Sequence, residues 1–206
     1  MQVVTGSPET LAAAAWAAST AVRASEVRCV LMPALRTEAL ICYRLNAGEA
    51  ERRRQARAGS ICSADVLDLL LALPLGMPVP ASSLTHRECA ALERAPASAV
   101  TIQDEEVTRH AVTPLAVELA VVAARSWRRG LEVAGRFAPF CARAMVLPRL
   151  PRDLAELELE ARFYGVGVIV ADGREADVLI PPAPFRRGRW TAAGWRFLEN
   201  VYQAAL

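Results

Sequence analysis

Between residues 115 and 182 the hydrophobic and polar positions alternate between two periods. Residues 115–124, LAVELAVVAA, are apolar except for Glu118. Such a run predicts a strand buried on both faces. Residues 126–140 open on Ser126, an N-cap type, and carry Leu131, Ala134, Phe137 and Ala138 near helical spacing until Pro139 closes the stretch. ARAMVLP (142–148) predicts another strand. Residues 152–164 return to the helical period, with Leu154, Leu157, Ala161 and Tyr164 on one side and Glu156 and Glu160 on the other. Residues 166–171 and 175–182 predict two further strands turned by Asp172-Gly173. Gly165-Val166-Gly167 lacks the third glycine of a dinucleotide fingerprint, and it reads as a helix C-cap and strand entry. Strand, helix, strand, helix, strand, strand defines an α/β protein with a mixed central sheet flanked by helices.

The preceding residues supply different elements. Ser7-Pro8-Glu9 starts a helix running to about Ala24. Residues 26–32 and 37–45 predict two strands joined through Pro33-Ala34-Leu35-Arg36. Ser63-Ala64-Asp65 caps a helix that reaches Leu73 and stops at Pro74 and Gly76. An extended connector, 78–80, leads to a helix starting at Ser82, Ser83 or Thr85 and ending before Pro96. Residues 98–112 alternate around Gln103-Asp104-Glu105-Glu106, the pattern of a β-hairpin. Helix, connector, helix, hairpin is the order of a winged helix-turn-helix, whose second helix enters the major groove when it binds DNA. That helix, residues 84–94, offers Arg87 and Arg94 with Glu88 and Glu93 opposing them, above an acidic hairpin tip. Winged helices also serve protein interaction.

Composition narrows the chemistry. The chain has 206 residues, 53% hydrophobic and 22% charged, which fits a folded globular protein with a sizeable core. All 24 basic residues are arginine. Without lysine, a Schiff base, a lysine general base and a P-loop lysine are excluded. A net charge of +2 is too small to announce a polyanionic partner. Cys29, Cys42, Cys62, Cys89 and Cys141 form no CxxC, which points to reduced thiols in a cytoplasmic protein. Two histidines make a zinc site a poor expectation. The N-terminal pattern is not that of a secretory signal, and no apolar run is long enough to predict a membrane span.

Val117-Glu118, Trp127-Arg128-Arg129, Leu131-Glu132, Arg136-Phe137, Val146-Leu147-Pro148 and Gly165-Val166-Gly167 give the C-terminal half a resemblance to the PD-(D/E)XK nuclease-like superfamily. More narrowly, the chain is similar to actinobacterial proteins that join such a core to a winged-helix segment. The resemblance implies a restriction-endonuclease-like sheet in which Glu118 and a preceding acid hold Mg²⁺ and a lysine two residues after the acid handles the attacking water. Glu38 and Asp104 (with Glu106 beside it) are the candidates for the preceding acid. The lysine position is Ala120, and arginine cannot act as a base in its place. The resemblance therefore implies a catalytically degenerate core, with Mg²⁺ entering only if nuclease chemistry survives. Otherwise Glu118 is a strand-end acid paired with an arginine such as Arg125 or Arg109.

Three basic patches are the candidate nucleic-acid contacts: Arg52, Arg53 and Arg54 within 48–60; Arg125, Arg128 and Arg129 at the start of the 126–140 helix; and Arg186, Arg187 and Arg189 beside Phe185 and Trp190. Arg87 joins them from the winged segment. Each also has a plainer reading as a solvated or internally paired surface. The expected division is 1–59, a helix and hairpin belonging to the core; 60–113, the winged segment; and 114–206, the nuclease-like core with its C-terminal helix. The expected function is a non-catalytic, double-stranded-DNA-associated regulator or accessory factor. A protein-interaction module or homodimer without a DNA role is the alternative, and a metal-dependent nuclease is the third reading.

Overall fold

A computed structural model describes residues 7–19, 26–172 and 175–206. The continuation of the first helix to Ala24 and the Gly173 turn lie outside the described residues. The chain forms two compact units, Met1–Arg44 with Val117–Arg187, and Leu45–Ala116 with Gly188–Leu206.

The first unit is a six-stranded mixed sheet. Its strands are β1 (Val27–Ala34), β2 (Thr37–Leu45), β6 (Leu115–Ala123), β7 (Ala142–Leu147), β8 (Val166–Asp172) and β9 (Glu175–Ile180), adjacent in that order. β6, β7 and β8 are mutually parallel, while β1–β2 and β8–β9 are antiparallel hairpins. The apolar run around Glu118 thus becomes an interior strand. The first hairpin turns on only two residues, Leu35 and Arg36, both at positive φ. That conformation normally favours Asn or Gly. Arg136 donates to the Leu35 carbonyl at 3.1 Å and fixes the turn from outside.

Helix α1 (Pro8–Ala18) begins at Ser7, whose hydroxyl accepts from the Thr10 N–H. Its Leu11, Ala14 and Ala15 pack on one sheet face with Leu40, Cys42, Leu119, Val121, Ala144 and Ile169. Helix α5 (Trp127–Gly135) lies on the other face. Alternation along β7 turns Met145 away from Ala144, and a Cβ added to Gly130 of α5 would stand 2.3 Å from the Met145 sulfur. Helix α6 (Leu154–Tyr164) contacts α5 and β8 and ends at Gly165, a left-handed C-cap with φ 64.

The second unit comprises α2 (Ala47–Gln55), α3 (Ala64–Ala72), β3 (Pro78–Pro80), α4 (His86–Leu92), β4 (Val100–Gln103), β5 (Glu106–Arg109) and α7 (Ala192–Ala205). Thr85 and Glu88 close a reciprocal capping box at the start of α4. The expected connector at 78–80 is a third, edge strand, giving the antiparallel order β3-β5-β4. Prolines at both of its ends hid it from a propensity reading, but an edge strand tolerates them. Leu67, Leu70, Val100, Val107 and Trp195 share one core. The last helix, grouped by the sequence with residues 114–206, therefore packs in this unit against α3. Residues 47–55, grouped with 1–59, also belong here. No helix among the described residues is long and apolar enough to cross a membrane.

Candidate functional site: an arginine-lined cleft

The acids proposed for a metal belong to no metal-suited group among the described residues. Glu118 is half-buried on β6, and its Oε1 lies 3.0 Å from Nη2 of Arg44. Its partner is thus Arg44 rather than Arg125 or Arg109. Both side chains are partly exposed and paired, so Glu118 needs no metal to satisfy its charge. Glu38 is exposed on β2, six residues before Arg44, which puts it about 20 Å away along the strand. Asp104 is exposed in the second unit, in the β4–β5 turn, with φ 50. No group of three or more His, Cys, Asp or Glu suited to a metal occurs among the described residues. This donor set does not fit Mg²⁺.

Most of the proposed phosphate contacts are neutralised internally. Arg53 is buried, and its guanidinium bonds Glu49 and Glu199 at 2.7–2.8 Å. It cannot meet a phosphate. Arg52 grips Glu49 at 2.7 Å and the Ser98 carbonyl. Arg54 pairs with Glu51, and Arg129 with Glu132. Arg87 and Arg94 both hold Asp65, at 2.7 and 3.1 Å. Arg187 donates to the Phe140 carbonyl at 3.2 Å and sits over the Phe185 ring. Arg186 and Arg189 are exposed on the extended segment before α7.

Three other unpaired arginines converge where β6 and β7 end. Because the two strands run parallel, the β6–α5 junction and the β7–α6 loop emerge at the same edge of the sheet. Between them lies a cleft of about 640 Å³. Arg125, Ser126, Trp127 and Arg128 form one wall, and Leu147, Arg149, Leu150, Pro151, Arg152 and Asp153 form the other. In open α/β sheets, ligands bind in the crevice outside the carboxyl ends of the strands.

One wall is locked to the other. The buried Trp127 ring donates Nε1–H to Asp153 at 3.1 Å. Arg128 stacks over that ring, 4.1 Å from its centroid, and bonds Asp153 at 3.0 Å and Glu156 at 2.6 Å. The Asp153 backbone N–H, followed by Trp127 and Arg128, holds the Asp153 carboxyl below its ordinary value. Arg128 is therefore occupied by acids. Arg125, Arg149 and Arg152 are exposed and make no side-chain hydrogen bond or ion pair with other described residues. Ser126 is the N-cap of α5, yet its hydroxyl makes no capping bond, so the first-turn N–H groups have no side-chain acceptor.

The arrangement can hold a compact anion by charge and multiple N–H donors. It offers no histidine or thiol for acid–base or nucleophilic work. Arg125 and Arg128 were legible in the sequence, but Arg149 and Arg152 were missed. Their signal is the repeat Pro148-Arg149-Leu150-Pro151-Arg152 directly after an apolar strand.

No family model, curated protein or solved structure matches the chain.

Proposed function

We propose that this chain is a non-catalytic, DNA-associated protein, a regulator or accessory factor, whose phosphate contacts centre on the cleft of the first unit. The observation that carries this is the convergence of Arg125, Arg149 and Arg152, none held by a carboxylate, at the carboxyl ends of two parallel strands. Phosphate contacts from guanidinium and backbone N–H groups supply most of the affinity of a protein for nucleic acid. A degenerate nuclease-like core is supported by the mixed sheet backed by α5, by Ala120 at the lysine position, and by the engagement of Glu118 with Arg44. The winged-helix reading is supported by the order α3, β3, α4, β4, β5 and by the β3-β5-β4 sheet. DNA reading by α4 is not favoured, because Arg87 and Arg94 both answer Asp65 and a small cleft there is lined by Asp65, Asp68 and Glu88.

Fluorescence anisotropy with a labelled duplex, titrated with salt, tests the reading. Replacing Arg125, Arg149 and Arg152 together by Ala should flatten the log–log salt slope by about 3, near one per lost phosphate contact. Arg54→Ala and Arg87→Ala should leave the slope unchanged. Absence of binding at low salt, or wild-type binding by the triple variant, would sink the proposal.

A second reading, self-association or protein docking without DNA, draws on the outer face of α6. There Leu159 is 73% exposed and Phe163 80% exposed, one helical turn apart. A stable dimer mass in the absence of DNA, reverted to monomer by Phe163→Glu, would favour it.

A further inference from the structure

We infer that the cleft between the β6–α5 junction and the β7–α6 loop receives a phosphomonoester of nucleotide type, either a free nucleotide or the 5′-phosphate end of a strand. This rests on the anion-binding reading above and narrows it to the kind of phosphate the cleft would hold most fully. At about 640 Å³ the space has the size of a small-molecule site, large enough to take a whole terminal phosphate with part of its nucleoside.

Charge selects the same ligand. Three free guanidiniums face the space, and the single carboxylate of the lining, Asp153, is already engaged by Trp127 and Arg128. An internal phosphodiester brings one negative charge. A terminal phosphate brings about 1.5 to 2 at neutral pH, with three acceptor oxygens. Three arginines and three oxygens form a balanced set. Ser126 Oγ and the uncapped first turn of α5 provide further donors on the same wall. Leu147, Leu150 and Pro151 give the opposite wall an apolar stretch, suited to the organic part of the ligand rather than to inorganic phosphate alone. The Trp127–Asp153 bond holds the two walls in register, so the ordering left for binding is that of the arginine side chains.

A pH signature follows. The charged groups around the ligand are Arg125, Arg149 and Arg152, with Arg128, Asp153 and Glu156 at the rim. Arginine does not titrate in the accessible range. Asp153 is held below its ordinary 3.8, so it stays ionised above pH 5. The ligand's own second ionisation, near pH 6, is what remains to titrate. Affinity should therefore fall as pH drops from about 7 to 5 for a monoester and stay flat for a diester.

The test uses the full chain with four probes in calorimetry and anisotropy: nucleoside 5′-monophosphate, inorganic phosphate, and one duplex prepared with 5′-phosphate or 5′-hydroxyl ends. The expected result is saturable monophosphate binding, weaker inorganic phosphate binding, and about tenfold preference for the phosphorylated end. The preference should disappear in Arg149→Ala and Ser126→Ala, both surface changes verified by circular dichroism. If both duplexes bind equally and the monophosphate neither binds nor competes, the inference falls while DNA association stands. If the monophosphate binds and no DNA does, the inference stands and DNA association falls. If nothing binds at low salt, both are overturned.

Discussion

Replacing Arg53 with Met should destabilise the second unit by about 3–5 kcal/mol, the range for removing one partner of a buried charge cluster. The cluster starts locally. Asn46 caps α2 by accepting the Glu49 N–H at 3.2 Å, and the helix then places Glu49 and Arg53 four residues apart on one face. Their side chains meet at 2.7 Å, both about 1% exposed. The guanidinium reaches on to clasp both oxygens of Glu199 on α7, at 2.7 and 2.8 Å. Glu199 also accepts the Ile61 N–H and the Trp195 indole N–H, each at 2.9 Å. The Tyr202 ring lies 5.2 Å from the guanidinium carbon. Without Arg53, Glu199 keeps its neutral donors but loses the one cation bonded to it among the described residues, in a place water does not reach. The change is measured by urea denaturation. Arg54→Ala, one residue further on in an exposed pair with Glu51, should cost no more than about 0.5 kcal/mol.

Acid should act on the same cluster. Burial pushes the Glu49 carboxyl up, but hydrogen bonds and charge from Arg52 and Arg53 outweigh it and hold it below its ordinary 4.5. A depressed folded value means that the unfolded chain binds the proton first as pH falls. The stabilisation is complete above pH 4.5 and is lost as pH drops through the folded value. Unfolding free energies measured between pH 6 and 3 should fall in wild type. The Glu49 part of that fall should be smaller in Arg53→Met, where one of the two arginines holding the carboxylate down is gone.

Trp195→Ala should cost about 3–5 kcal/mol, the usual penalty for truncating a buried aromatic to Ala. The ring is 1% exposed and packs in the core formed by Leu67, Leu70, Val107 and Ala192. Arg109 lies over it, 4.9 Å from ring to guanidinium carbon, and donates to the carbonyls of Leu73 at 3.2 Å and Ala111 at 2.8 Å. Truncation leaves a cavity, removes the aromatic face beneath a partly buried cation, and takes a donor from Glu199. Trp195→Phe separates these terms: it keeps most of the packing and loses the indole N–H, so about 1–3 kcal/mol should be lost. Trp195 and Glu199 share a hydrogen bond, so the double variant Trp195→Phe/Glu199→Gln should cost less than the sum of the singles. A strictly additive cycle in urea would show that this contact carries no coupling.

Much of the local architecture was readable because it depends on neighbours within a turn or two. Ser7, Thr85 and Thr191 are side-chain caps, Gly165 is a left-handed C-cap, and the apolar run at 115–123 is an interior strand. The i,i+4 pair Glu49–Arg53 was within reach of the same logic. Its third member was not: Glu199 is 146 residues from Arg53, and nothing in a one-dimensional pattern marks an acid on an otherwise apolar helix face as the partner of a particular arginine.

The sequence by itself determined most of the secondary elements, the α/β class and the lack of any lysine chemistry. Tertiary structure alone decided which arginines are free. Periodicity and capping are settled by short-range backbone and side-chain geometry. Whether a guanidinium is neutralised depends on carboxylates brought from distant segments, as Glu199 is to Arg53 and Glu156 to Arg128. The parallel pairing of β6 with β7 carried Arg125 and Arg149 to one cleft, although 24 positions separate them in the chain.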